Sequence, residues 1–240
     1  MSNSFEQTSE STVRRIPERG SFDKETVFAI LDEGYLCHVA FAVNGKPFVI
    51  PTLYARSGES IFLHGSAASR MLRQLDTGAP VSVCVTHVDG FVLARSAFHH
   101  SMNYRSVVLF GTARMVTDPV AKLDALKLFT DWMVADRWDE LRTTTEKELK
   151  ATSVLEMHID QASAKVRTGP PNDDPADVEL PIWSGVLPVR RCFSEAVPVV
   201  GSQQQIGSFD MRRVARFATK VQQKRRQPDE TAQSLTISVD

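Results

Sequence analysis

Leu36-Cys37-His38-Val39-Ala40-Phe41-Ala42-Val43, then Asn44-Gly45, then Phe48-Val49-Ile50-Pro51-Thr52-Leu53-Tyr54 is the stretch that decides the fold. Two runs rich in apolar, β-branched and aromatic residues flank Asn-Gly, the dipeptide whose left-handed preference builds a tight two-residue hairpin. Working outward, Ser57-Gly58 predicts a second turn and Ser60 to His64 a third strand. Gly65-Ser66 leads into a short helix whose buried face is Met71, Leu72 and Leu75. Val81 to Val88 alternates as a half-buried strand does, and Asp89-Gly90 reads as a turn into Phe91 to Ala97. Arg105 to Thr117 is a long strand with Gly111 as a bulge or close-approach point. So many short strands at close spacing predict a mainly β chain, an antiparallel β-barrel with two or three flanking helices.

The flanks supply those helices. Asp23 caps a helix with Val27, Ile30 and Leu31 at i, i+3, i+4 spacing, Phe22 stands at the staple position, and Gly34 ends it. Asp118-Pro119 opens the longest helix, with Leu123, Leu126, Phe129, Trp132 and Met133 inward, expected to run to about Leu141. Ser153 to Ile159 and Ala164 to Arg167 read as strands, Thr168 to Pro181 as a loop, and Ile182 to Val189 as an extended packing segment. The expected organisation is a flexible polar segment 1–20, a barrel domain 21–200, and a basic amphipathic tail 201–240. In that tail Arg212, Arg213, Arg216, Lys220, Lys224, Arg225 and Arg226 accompany Met211, Val214, Phe217 and Val221 at helical spacing. Such a tail suits a protein partner, RNA or a membrane surface, or simply packs on its own domain.

Composition narrows the function classes. The 240 residues are 42% hydrophobic and 24% charged with net charge −1, an ordinary globular balance that excludes a wholly disordered chain and a general trap for nucleic acid. No apolar run approaches the about 20 residues of a membrane-crossing helix. The polar start lacks a secretory pattern, and three scattered cysteines, Cys37, Cys84 and Cys192, fit reduced thiols. Together these features give a cytoplasmic expectation.

Three stretches carry chemistry. In Leu63-His64-Gly65-Ser66-Ala67-Ala68-Ser69-Arg70 a strand gives way to hydroxyls and a helix start, where backbone amides, Ser66, Ser69 and the Arg70 fork form a phosphate cradle. The competing reading is plain capping by Ser66 with Arg70 in solvent. Pro51, inside a strand, removes a ladder donor and marks an edge whose free backbone groups can face a flat ligand or guard against aggregation. The third, Arg95 to Ser106, holds adjacent His99 and His100, which face opposite sides in extended chain and do not share one metal. No zinc-type spacing, Walker loop, dinucleotide glycine motif or nucleophile elbow occurs, so no metal is expected.

At these stretches the sequence resembles the pyridoxamine 5′-phosphate oxidase-like flavin-binding proteins, and within them the branch of the nitroimidazole-resistance proteins. The likeness runs from about Phe22 to Val189 and rests on Phe48 to Tyr54, Leu63 to Leu72, Ala97 to Ser106, Lys165 to Pro171 and Trp183 to Pro188. It implies a split β-barrel binding FMN at the interface of a homodimer. Val49, Ile50, Pro51 and Thr52 then run along the isoalloxazine, Leu63 and His64 lie beside ring and ribityl chain, and Ser69 with Arg70 holds the phosphate, in agreement with the cradle that includes Ser66. Ser106 falls at a polar flavin contact and Trp183 covers the flavin from the second subunit. The chain departs from the oxidase at Met71, where a basic residue follows the phosphate arginine, and at Phe48, where the oxidase has arginine. Vitamin B6 oxidation is therefore not carried over.

The expected activity is an FMN-dependent oxidoreductase reducing a small organic substrate, nitroaromatic compounds included, with electrons from a reduced nicotinamide. His64, as the titratable group nearest the ring, is the expected proton donor. FAD and a deazaflavin are the alternative flavins. Two other functions compete: a flavin-binding sensor or carrier without turnover, motivated by the basic tail, and a haem-binding or haem-degrading split barrel using His99, His100 or His158.

Overall fold

The computed structural model describes residues 2–194 together with 196, 197, 199 and 213. The tail expected to be basic and amphipathic lies, Arg213 apart, outside the described residues. Met1–Arg190 form one unit and Arg191–Asp240 a second.

Within the first unit the strands are β1 (Gly20–Ser21), β2 (Leu36–Val43), β3 (Lys46–Ser57), β4 (Ser60–Ser66), β5 (Val81–Leu93), β6 (Ser101–Gly111), β7 (Arg114–Met115), β8 (Thr152–His158), β9 (Gln161–Arg167) and β10 (Gly185–Pro188). The helices are α1 (Lys24–Asp32), α2 (Arg70–Leu75), α3 (Pro119–Met133) and α4 (Glu146–Ala151). Every pairing is antiparallel, in the order β1-β9-β6-β5-β2-β3-β4-β8-β7, with β10 added beside β5. The mainly antiparallel architecture is the expected one, a split β-barrel with flanking helices.

The hairpin at Asn44-Gly45 forms as expected, with both residues at positive φ (49° and 75°). Alternation then sorts side chains between two faces. Cys37, Val39, Phe41, Tyr54, Ile61, Leu63, Val83, Val85, Val107 and Leu109 fill the main core against Val27, Ile30 and Leu31 of α1. Each such buried aliphatic contributes about 1.5–3 kcal/mol. On the opposite face, Ala55 and Val154 are covered by Ala125 and Phe129 of α3, which makes a second, smaller cluster.

Several elements differ from the sequence expectation. Asp89-Gly90 is a β-bulge inside one continuous strand: Val88 pairs with Tyr104 and Gly90 with Asn103, leaving Asp89 as the extra residue. Asp89 then receives two hydrogen bonds from Arg105, and a Cβ on Gly90 would press the Leu187 carbonyl of β10 at 3.0 Å. The helix opened by Asp118 ends at Met133, because Asp136 adopts φ 59° and the Asp131 carboxylate accepts the Trp138 amide instead. Helix α4 escaped the sequence reading although Thr145 and Glu148 form a full capping box.

The polar segment 1–20 is not the flexible lead-in its composition predicts. Phe5 enters the core beside Phe28, its amide bonds to the Phe22 carbonyl at 2.8 Å, and Thr8 bonds to Gln161. Ser11 is buried as well, and Ser4 bridges to Asp23.

Candidate functional site

The site starts from an incomplete strand. Residues 46–53 of β3 pair with β2, whereas the ladder to β4 begins only at Tyr54–Leu63. Among the described residues no strand flanks 46–52 on the other side. The Tyr54 amide donates to Tyr35 on the β2 side at 3.1 Å. Alternation therefore turns the backbone groups of 47, 49 and 51 away from β2. Two of these are prolines, which leaves the Val49 N–H as the outward donor and the carbonyls of Pro47, Val49 and Pro51 as acceptors.

Side chains along this edge alternate too. Phe48 and Ile50 pack on the main core, and Thr52 follows them on that face opposite Cys37. Val49 (60% exposed) and Pro51 stand on the outer face. Phe48 stacks on Phe41 at 5.6 Å and also carries the Arg70 guanidinium 4.4 Å above its ring centroid. Arginine over an aromatic face is a cation–π contact that holds the fork in place while leaving its N–H groups available.

The turn from β4 to α2 is organised by its hydroxyls. Ser69 caps α2 by accepting the Leu72 amide at 3.4 Å, and Ser66 accepts the Ala68 amide at 3.2 Å. The cap is thus Ser69 rather than Ser66. Both oxygens act as acceptors here, so both O–H groups remain to donate to an anion. Ser66 and Arg70 are exposed.

Leu63 and His64 separate. Leu63 has its side chain wholly buried in the main core, which leaves its backbone as the part that faces away from the core. His64 lies on the outer face, its ring 4.2 Å from that of Phe129 on α3. Extending the Tyr54–Leu63 register by one step sets His64 beside Leu53, on the face of Pro51 and Val49. Its Nδ1 is buried with no partner, and burial pushes its pKa below the ordinary histidine value. The imidazole is accordingly neutral at neutral pH.

Two expected residues are not brought here within one chain. Ser106 sits on β6, separated from β3 by β5 and β2, about 14 Å away at ordinary strand spacing. Its hydroxyl reaches the Lys165 carbonyl at 3.5 Å. Trp183, 67% exposed, precedes β10 and lies against Gly185. The cysteines take no part: Cys37 is a core residue whose thiol burial pushes up to about 12. Sequence reasoning missed the two aromatic supports, Phe48 under Arg70 and Phe129 under His64.

A barrel split along one strand, with a free backbone edge beside a hydroxyl-and-arginine turn, is the architecture of a split-barrel protein. The chain belongs to the pyridoxamine 5′-phosphate oxidase family, whose model matches residues 23–166. Among solved structures it is similar to a flavocytochrome of Azotobacter vinelandii, at 37% identity over 88% of this chain and 97% of that one, with a TM-score of 0.82. It is also similar to an FAD and haem binding protein of Mycobacterium smegmatis, at 35% identity over 81% and 96% of the two chains and a TM-score of 0.77. A 5-nitroimidazole resistance protein of Bacteroides thetaiotaomicron shares the fold at 20% identity, over 60% of this chain and 84% of that one (TM-score 0.51). No curated protein matches the sequence.

Proposed function

We propose that this protein is a flavin-dependent redox protein that also takes up haem. The observation that carries the flavin reading is the free edge of β3 with Arg70 held over Phe48, which fits a flat heterocycle bearing one phosphate arm. The Val49 N–H donates to the ring and the Pro47, Val49 and Pro51 carbonyls accept from it. Arg70 with the Ser66 and Ser69 hydroxyls binds the phosphate by charge-assisted hydrogen bonds. A bound flavin supplies hydride and single-electron chemistry, while the chain supplies orientation and electrostatics. His64 stays neutral, and its buried Nδ1 has no hydrogen-bond partner in the chain.

FMN matches a single phosphate cradle, and FAD is the flavin named for the Mycobacterium smegmatis relative. Haem enters because two relatives at 35% identity or more are a flavocytochrome and a haem-binding protein. Two histidines could hold a haem iron through an imidazole nitrogen. One is His64. The other is His100, whose Nδ1 lies 2.8 Å from the Ser96 carbonyl, a bond that orients an imidazole and leaves Nε2 free.

The protein works in the cytoplasm as a homodimer. The uncovered outer sheet face, with Leu36, Val49 and Val88 exposed, meets the second subunit, and Ser106 and Trp183 reach the flavin from there. Electrons come from a reduced nicotinamide and go to a small organic acceptor, nitroaromatic compounds being the first assay substrates. No helix among the described residues is long and apolar enough to cross a membrane.

The absorption spectrum of the purified protein tests this, with the released cofactors identified by mass. A flavin double band together with a Soret band is expected, and the Soret band should shift in His64→Leu or His100→Leu. A protein that neither carries nor takes up FMN, FAD or haem overturns the proposal.

A further inference from the structure

The end of β9 holds a cation with no counter-charge among the described residues. Arg167 is 8% exposed. Its guanidinium donates only to neutral oxygens: Asn103 Oδ1, the Gly169 carbonyl at 3.4 Å and the Pro170 carbonyl at 3.3 Å. Its Nε is buried without any partner. Among the described residues no carboxylate stands within ion-pair distance of it, unlike Arg105, whose charge is matched by Glu33 and Asp89. A buried charge without a counter-ion is costly, because carbonyl dipoles replace only part of its hydration.

The surroundings add positive charge. Gly20 of β1 pairs with Lys165, which brings the preceding Arg19 to the level of Val166 and Arg167. Arg19 is half-buried, and its like charge adds to desolvation in pushing the Arg167 pKa down. Lys165 lies two residues from Arg167 on the same strand face, its Nζ held by the Arg15 carbonyl at 2.8 Å. Tyr104, directly across the ladder from Arg167, brings a phenol to the same place. Glu18, beside Arg19, is exposed and forms no ion pair with either arginine.

We infer that Arg167 and Arg19, with Tyr104, form a binding site for the phosphate group of a small phosphorylated ligand such as a nucleotide. Two guanidiniums and a nearby ammonium match a dianion better than a singly charged carboxylate, and guanidinium forks suit phosphate oxygens. The site is separate from the Arg70 turn of the same chain. β9 and β3 are four places apart in the strand order, so one phosphate cannot touch both.

Calorimetric titration of the full chain with ADP, and separately with inorganic phosphate, at low ionic strength tests the site. Binding is expected, with affinity reduced at least about tenfold in Arg19→Gln and in Arg167→Lys. Thermal unfolding of each variant shows that it is folded. Arg19→Gln keeps the question open to test if Arg167→Lys fails to fold. Tight binding of ADP with weak binding of phosphate identifies a nucleotide, and equal binding identifies the free anion. No binding of either probe by the unaltered chain, or binding that both substitutions leave intact, overturns the inference.

Discussion

Arg70 and Phe48, on different elements and 22 residues apart in sequence, form one unit: the guanidinium lies 4.4 Å above the ring centroid. The contact joins the start of α2 to the free edge of β3, so the group assigned to a phosphate and the backbone assigned to a ring hold a fixed relation to each other. Phe48 thus acts as a platform for the neighbouring arginine.

Replacing Arg70 by Ala should weaken flavin binding by about 10- to 100-fold, the loss expected for one charge-assisted fork. Because Arg70 is exposed, the melting temperature of the flavin-free protein should barely change. Fluorescence titration with FMN and FAD measures the first quantity and thermal unfolding the second. Phe48→Leu should show part of the same loss, since it removes the platform and keeps the charge.

His64 predicts a pH dependence of stability. Burial lowers its pKa in the folded chain, so as pH falls below the ordinary value of about 6.5 the unfolded chain binds the proton first. Stability contributed by the neutral imidazole is full above that value and declines through the window down to the folded pKa. His64→Asn should flatten the slope of melting temperature between about pH 7.5 and 5.5. An unchanged slope would assign the dependence to other groups.

Gly34 stands where α1 meets β2, under the Tyr54 hydroxyl that donates to the Leu31 carbonyl. A methyl group there would collide with that hydroxyl and lie 3.1 Å from Val85 Cγ1. Trp132 of α3 also donates to the Gly34 carbonyl at 2.8 Å, so the backbone is not free to retreat. Gly34→Ala should cost about 1–3 kcal/mol. Combining it with Tyr54→Phe should cost less than the sum of the two, and a denaturation double-mutant cycle reads the difference.

Arg105 joins Glu33, after α1, to Asp89 at the bulge of β5. All three side chains are at most about one-fifth exposed, so Arg105→Met removes the positive charge that both carboxylates share. A loss of about 2–4 kcal/mol is expected from urea unfolding at neutral pH.

Asp173 fastens the segment after β9 by accepting from the Arg95 amide, the Arg95 guanidinium and the Ser184 hydroxyl. The first of these bonds dominates in holding its carboxyl below the usual range. Asp173→Asn should expose residues 168–184 to limited proteolysis without altering the far-ultraviolet spectrum of the barrel. Equal cleavage rates in the two proteins would show that the latch lies elsewhere.

The hairpin at Asn44-Gly45, the caps at Asp23 and Asp118 and the alternation of the strands were legible because each is a local pattern in the chain. Asp89-Gly90 misled, since the same dipeptide suits a turn and a bulge, and the choice depends on Arg105 and Leu187 from other strands. Phe5 was illegible for a related reason: its burial depends on Phe28 across the fold. At the site, the arginine, the two serines and the proline-bearing edge could be read from residue chemistry. Their division between faces, with Leu63 buried and His64 outward, follows from register and needed the fold. Arg167 could not be recognised from sequence, because a lone arginine shows its missing counter-charge only once its neighbours are in place.

The outward side of β3 has a bearing on how the protein behaves in concentrated solution. A foreign strand seeking to zip onto a sheet requires a donor at every second residue, about every 7 Å. Over three successive outward positions, 47, 49 and 51, this edge has one. The two prolines therefore let a long apolar border stay uncovered without seeding fibre growth, while the single amide between them is enough to seat a small planar molecule. Exchanging Pro47 and Pro51 for residues that donate would turn a selective docking edge into an adhesive one.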